Sequence, residues 1–159
     1  MQIFLAHASE DKERVRELRA ALITSGFETW LDEENLRPGE NWQVEIPNAI
    51  RESDVFLACL SRASVAKHGF VQREFRLALN AYAEKPPGTI FLIPVKLDDC
   101  EVPDLRLPEL GVNLRDIQWV DLWKHGGLHR LIAVIRDRET STSTSEYQEP
   151  LPPLRLVTT

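Results

Sequence analysis

In the stretch HGFVQREFRLAL, residues 68 to 79, Glu74 follows Phe70 by four positions. On a helix that spacing makes the two side chains neighbours on one flank. A carboxylate beside an aromatic ring can offer one ligand a fixed negative charge and a flat stacking surface. At about 100 degrees per residue, Val71, Phe75, Ala78, Leu79 and Tyr82 form the apolar stripe that would pack inward. Phe70 and Glu74 lie beside that stripe, and Arg73 and Arg76 lie further round toward solvent. Acids are favoured near helix N-termini whatever the function, so the helix alone does not assign Glu74 a role. Its location relative to other polar segments has to do that.

Other arrangements in the chain fit known chemistries less well. His7 and Ser9 lack the strained GxSxG turn that would expose a nucleophile, and Ser9 is better placed to cap a helix. Glu10, Asp11 and Lys96 suggest a phosphate-receiving aspartate site, but the third strand ends in Leu60-Ser61 where that site needs a carboxylate. With seven glycines and neither GxGxxG nor GxxxxGK[ST], the chain offers no phosphate cradle. Its two cysteines, Cys59 and Cys100, have neither CxxC spacing nor neighbouring histidines, so free thiols are expected and no metal site.

The elements that must hold these residues alternate in type. QIFLA (residues 2–6), FETWL (27–31), VFLACL (55–60), TIFLIPV (89–95) and a segment around 117–121 in IQWVDLW read as strands. After the first strand, Ser9-Glu10-Asp11 offers an N-cap and two acids to a helix with Val15, Leu18 and Leu22 inward, stopped at Gly26. A second helix is expected over about 43–52, although Pro47 costs a helix interior about 3 kcal/mol unless it falls in the first turn, so that helix starts late or is kinked. GGLHRLIAVIRDR predicts a last helix with Leu128, Leu131, Ile132 and Ile135 on one stripe. Residues 97–116 read as a long connection. Strands alternating with helices imply an α/β fold, a flavodoxin-like three-layer arrangement with a central five-stranded parallel sheet flanked by helices. In such a sheet ligands bind beyond the carboxyl ends of the strands, which singles out HASED, LDEENLRPGENW, SRASVAKHGF and the segment after Val95. The helix carrying Glu74 begins just after SRASVAKHGF.

The chain has 159 residues, 43% hydrophobic and 28% charged, enough for one domain with a substantial core. We expect that domain over residues 1–139 and a Ser/Thr/Pro-rich linker or disordered tail over 140–159, which suggests a fused or associated sensor domain. A net charge of −6 and a pI near 5.3 argue against nucleic acid or an anionic membrane as the main partner. No apolar run approaches the roughly 18 residues of a membrane span, and no signal segment opens the chain, so a cytoplasmic location is expected.

FLAHASED, WLDEENLRPGENW and FVQRE, in that order, resemble the Toll/interleukin-1 receptor (TIR) domain, in particular its bacterial members, over about residues 2–138. The first block resembles the family's box one, LDEENLRPG its BB loop with Pro38-Gly39 at the tip, and FVQRE its aromatic-Cys-x-x-Glu motif. Phe70 stands where that motif usually has tryptophan and Val71 where it often has cysteine. The resemblance implies that Glu74 is catalytic, as in the members that cleave NAD+, with Phe70 beside it. It also implies that His7, Ala8 and Ser9 approach the substrate while Asp32, Leu36 and Trp42 belong to the loop that closes over it. Box one lacks an arginine that some animal members carry, which leaves the holding of the dinucleotide phosphates unassigned. The implied activity is NAD+ glycohydrolase, with NAD+ as substrate and no cofactor, giving nicotinamide and ADP-ribose or a cyclic variant. It also implies activation by homo-oligomerisation with other TIR domains and an effector role in bacterial antiviral defence. The alternative is a non-catalytic scaffold for interactions between TIR domains.

Overall fold

The structure, a computed structural model, describes residues 1–31, 35–66 and 72–146. Strands β1 (Gln2–Ala6), β2 (Glu28–Trp30), β3 (Val55–Leu60), β4 (Leu92–Lys96) and β7 (Val120–Asp121) form one sheet in the order β2-β1-β3-β4-β7. Every pairing in it is parallel. Helices α1 (Lys12–Thr24), α2 (Trp42–Glu52), α3 (Arg62–Val65), α4 (Gln72–Glu84) and α5 (Gly127–Glu146) connect and flank the strands.

Alternation along the strands sorts the core into two faces. Phe4, Ala6, Phe56, Ala58 and Leu60 pack with Ile46, Ala49 and Ile50 of α2 and with Phe75, Ala78 and Leu79 of α4. Ile3, Leu5, Val55, Leu57 and Cys59 pack on the other side with Val15, Leu18 and Leu22 of α1 and Leu131 and Ile135 of α5. The expected stripes on α1 and α4 are therefore the buried ones, with Tyr82 packed against its cluster; Val71 lies outside the described residues. On α5 the expectation for Leu128 needs correction. Leu128 is the second residue of the helix and stands exposed, while Leu131 and Ile135, four apart, face the sheet. The α5 backbone also runs on to Glu146, past the point where the composition changes. At its start, a Cβ on Gly127 would strike the backbone of Asp121, so only glycine lets the helix leave β7 this closely.

Three further expectations are refined. The helix before β3 starts at Trp42, capped by the Asn41 side chain accepting from the Gln43 N–H, so it does not start late and Pro47 lies well inside it. The connection after β4 contains a small antiparallel pair, β5 (Arg106–Leu107) with β6 (Val112–Asn113), whose Leu107 joins the α2/α4 core face. Ser9 does not cap α1. It opens a single 3-10 turn, Ser9–Asp11, and neither the Ser9 nor the Asp11 side chain makes a cap bond.

Instead, Asp11 turns its carboxylate inward. It is fully buried, and the Ser61 hydroxyl, also fully buried, donates to Asp11 Oδ2 at 2.9 Å. Ser61 simultaneously forms a reciprocal capping box with Ser64 that starts α3. Arg14 reaches both Asp11 Oδ1 at 3.8 Å and Asp98 Oδ2 at 3.7 Å, and Asp98 accepts from the Arg62 N–H at 3.0 Å. The chain segments leaving β1, β3 and β4 are thereby joined at one edge.

Asp11→Ala removes the charged acceptor of a buried hydroxyl and is expected to lower unfolding free energy by about 1.5–3 kcal/mol. Ser61→Ala should cost at least as much, because it leaves a buried carboxylate without its hydrogen-bond donor; denaturant titration measures both. Cys59 and Cys100 are free and buried. Burial, reinforced by Asp98, pushes the Cys100 thiol up to about 11, and burial beside Asp11 raises Cys59 further. Folded protein at pH 8 should therefore react with neither equivalent of a thiol-exchange reagent, and denatured protein with both.

Candidate functional site

The strand order reverses between β1 and β3: the chain passes from β1 outward to β2, then returns to β3 on the other side. Open parallel sheets bind ligands at such a reversal, beyond the carboxyl ends of the strands. His7 and Ala8 leave β1 there, and Ser61 leaves β3. Ala8 is buried, His7 half-buried with Nδ1 at 3.4 Å from the Leu5 carbonyl, and Ser9 exposed. Together they place one ring and one hydroxyl at the reversal.

Topology assigns Glu74 to the same edge: α4, starting at Gln72, lies in the crossover from β3 to β4, and its first turn is the end that faces the exit of β3. The rotation of α4 is fixed by the next residue. Phe75 packs edge-on against Phe56 at 6.2 Å and 83°, and Phe56 stacks on Phe4, which stacks on Trp30. With Phe75 held inward, Glu74 stands about 100 degrees away, half-buried on the flank. Among the described residues no hydrogen bond or ion pair engages its carboxylate. It is a negative charge in the first helical turn, at the edge where the topology puts ligands.

The loop between β2 and α2 supplies the other expected residues. Pro38 and Gly39 occupy its central turn, with Gly39 at φ +91° where only glycine is unstrained, and Arg37 bonds Glu40 across it at 2.9 Å. That bond holds the Glu40 carboxyl below its ordinary range. Leu36 is half-buried against the α2/α4 core face. Trp42, half-exposed, opens α2, and the Arg73 guanidinium lies 5.0 Å from its ring centre. Asp32 and Phe70 lie outside the described residues, so the pairing of Phe70 with Glu74 is not placed. Sequence reasoning did not foresee the inward turn of Asp11 or the contact of Arg73 with Trp42. Asp11 looks like any helix-start acid, and Arg73 gains its partner only when α2 and α4 pack side by side.

A cavity of about 380 Å³ lies elsewhere, at the amino ends of β4 and β7, lined among others by Tyr82, Ile90, Phe91, Trp119 and Arg130. None of the residues singled out for chemistry lines it. The chemical groups and the reversal in strand order therefore mark one edge of the sheet, and this cavity the other.

The residue pattern of the TIR domain family matches positions 3–132. A 2' cyclic ADP-D-ribose synthase, BtTIR of Bacteroides thetaiotaomicron, is 35% identical over 79 residues, 45% of this chain and 28% of that protein. The uncharacterized protein y4cD of Sinorhizobium fredii (strain NBRC 101917 / NGR234) is 27% identical over 149 residues, 93% of this chain and 22% of that protein. The chain thus spans less than a third of the length of either relative. Among solved structures, the TIR domain of the Toll-related receptor TRR-2 from Hydra magnipapillata superposes with a TM-score of 0.66 at 21% identity. That superposition covers 84% of this chain and 97% of that one, and shows the shared fold. With the five-stranded parallel sheet and the family pattern covering most of its length, this chain belongs to the TIR domain family.

Proposed function

We propose that this TIR domain cleaves the bond between nicotinamide and ribose in NAD+, with Glu74 as the catalytic carboxylate. The observation that carries the reading is the half-buried Glu74 carboxylate in the first turn of α4, beside the reversal in strand order and unengaged among the described residues. The relative named as a 2' cyclic ADP-D-ribose synthase supports the choice of chemistry.

As the C1′–N bond breaks, the electron pair leaves with nicotinamide, which departs as a neutral base, and positive charge develops on the sugar. A preorganised carboxylate stabilises that charge more in the transition state than in the bound substrate, which is the condition for accelerating the step. A neutral leaving group needs no strong general acid, so a second carboxylate is not required. Water, or a hydroxyl of the same molecule, then captures the sugar and releases its proton, giving ADP-ribose or a cyclic variant. His7, Ala8, Ser9, Leu36 and Trp42 would line the approach, together with Asp32 and Phe70. Activation through homo-oligomerisation and an effector role in antiviral defence, coupled to a fused or associated sensor, form the wider part of the proposal and rest on the family resemblance.

Concentrated protein incubated with NAD+ should release nicotinamide, measured by chromatography. Glu74→Gln keeps the size of the side chain and removes its charge; it should lower the rate on the order of a hundred- to a thousandfold with the unfolding midpoint unchanged. Undiminished release by a folded Glu74→Gln variant removes Glu74 from this role. A wild-type domain that releases no nicotinamide under assembling conditions is instead a scaffold for contacts between TIR domains.

A further inference from the structure

Resting on the NAD+ reading above, we infer that Arg73, stacked over Trp42, is the group that holds the substrate's diphosphate. A dinucleotide brings two negative phosphates within one sugar's width of the bond that breaks, so a site built around the Glu74 carboxylate needs a cation nearby to offset repulsion between like charges. Three other arginines at this edge are already committed to carboxylates. Arg14 lies between Asp11 and Asp98, Arg37 bonds Glu40, and Arg62 lies 3.7 Å from Asp99 while its Nε donates to the Asp99 carbonyl.

Arg73 is exposed, and the partner the structure gives it is the Trp42 ring at 5.0 Å. Among the described residues no carboxylate or carbonyl accepts from it. A cation over an aromatic face is held in place while its N–H donors stay available, and a guanidinium matches a phosphate with two parallel bonds. Arg73 also directly precedes Glu74 in the first turn of α4, where the helix dipole favours an anion. Arg76, three residues on, lies one turn further from the sheet edge. The two groups then divide the work: Glu74 meets the sugar that turns cationic, and Arg73 the phosphates that stay anionic. The Trp42 ring serves as the platform that sets the guanidinium between α2 and α4.

The test compares steady-state NAD+ turnover by wild type, Arg73→Ala, Arg73→Lys, Trp42→Leu and the control Arg76→Ala, each checked for an unchanged unfolding midpoint. Arg73→Ala should raise KM for NAD+ roughly ten- to a hundredfold with kcat within a few-fold, the range expected for losing charge-assisted bonds. Arg73→Lys should recover part of the loss, Trp42→Leu should raise KM in the same direction, and Arg76→Ala should leave it unchanged. Added salt should raise the wild-type KM and leave that of Arg73→Ala nearly flat. Wild-type turnover with an Arg73→Ala KM within twofold of wild type, or a loss confined to kcat, overturns the assignment while leaving the NAD+ reading intact. Absence of wild-type turnover overturns both.

Discussion

The hydrogen bond from the Ser61 hydroxyl to the buried Asp11 carboxylate is the constraint on which the chemistry-bearing edge depends. It joins the segments leaving β1 and β3, the two central strands between which the strand order reverses. One hydroxyl serves both ends, because Ser61 also caps the short helix that follows β3. A buried carboxylate is costly to hold without donors, so Asp11 and Ser61 are specified together or not at all. Arg14 and Asp98 extend the same network to the exit of β4. The polar loops at this edge therefore hang from a buried polar anchor.

Beneath that anchor, the rotation of α4 is decided by rings. Phe4 stacks between Trp30 and Phe56, and Phe75 meets Phe56 edge-on, so one aromatic file runs from the edge strand β2 through β1 and β3 to α4. Offset and edge-on ring contacts are geometrically demanding, which makes them suitable for setting an angle as well as filling volume. Glu74 inherits its direction from Phe75, and Arg73 its position from Trp42, whose helix packs on the same sheet face through Ile46, Ala49 and Ile50. The side chains proposed for function are thus oriented by residues one position away in sequence or one helix away in space.

Much of this was legible in the sequence, and for definite reasons. QIFLA and VFLACL are apolar on both faces, which only a strand covered on both sides requires, and the stripe through Phe75, Ala78 and Leu79 can be read from helical spacing alone. Those patterns fixed the sheet and hence the edge at which to look. What stayed hidden depends on contacts between segments far apart in the chain. Asp11 carries the composition of an ordinary helix start, and nothing local says that its carboxylate points inward. The pairing of Arg106–Leu107 with Val112–Asn113 is too short to leave an alternating pattern and exists because Leu107 packs against the α2/α4 face. Leu128 fits the periodicity of α5 yet sits too near the helix start to reach the sheet.

The proposed function rests on how the chain disposes of its charges. With 25 acids against 19 lysines and arginines, many carboxylates must lack a cation, so an unengaged acid is not by itself informative. On an exposed surface such an acid costs nothing, because water solvates it. Glu74 is different because it is half-buried beside the reversal in strand order, while neighbouring acids at the same edge, Asp11, Asp98 and Glu40, are each held by a donor. Arg73 and Glu74 are adjacent on α4, so their side chains point about 100 degrees apart, and the Arg73 guanidinium lies over Trp42. Two opposite charges adjacent but separate suit the proposed substrate, which carries both signs, a sugar that turns cationic and phosphates that do not.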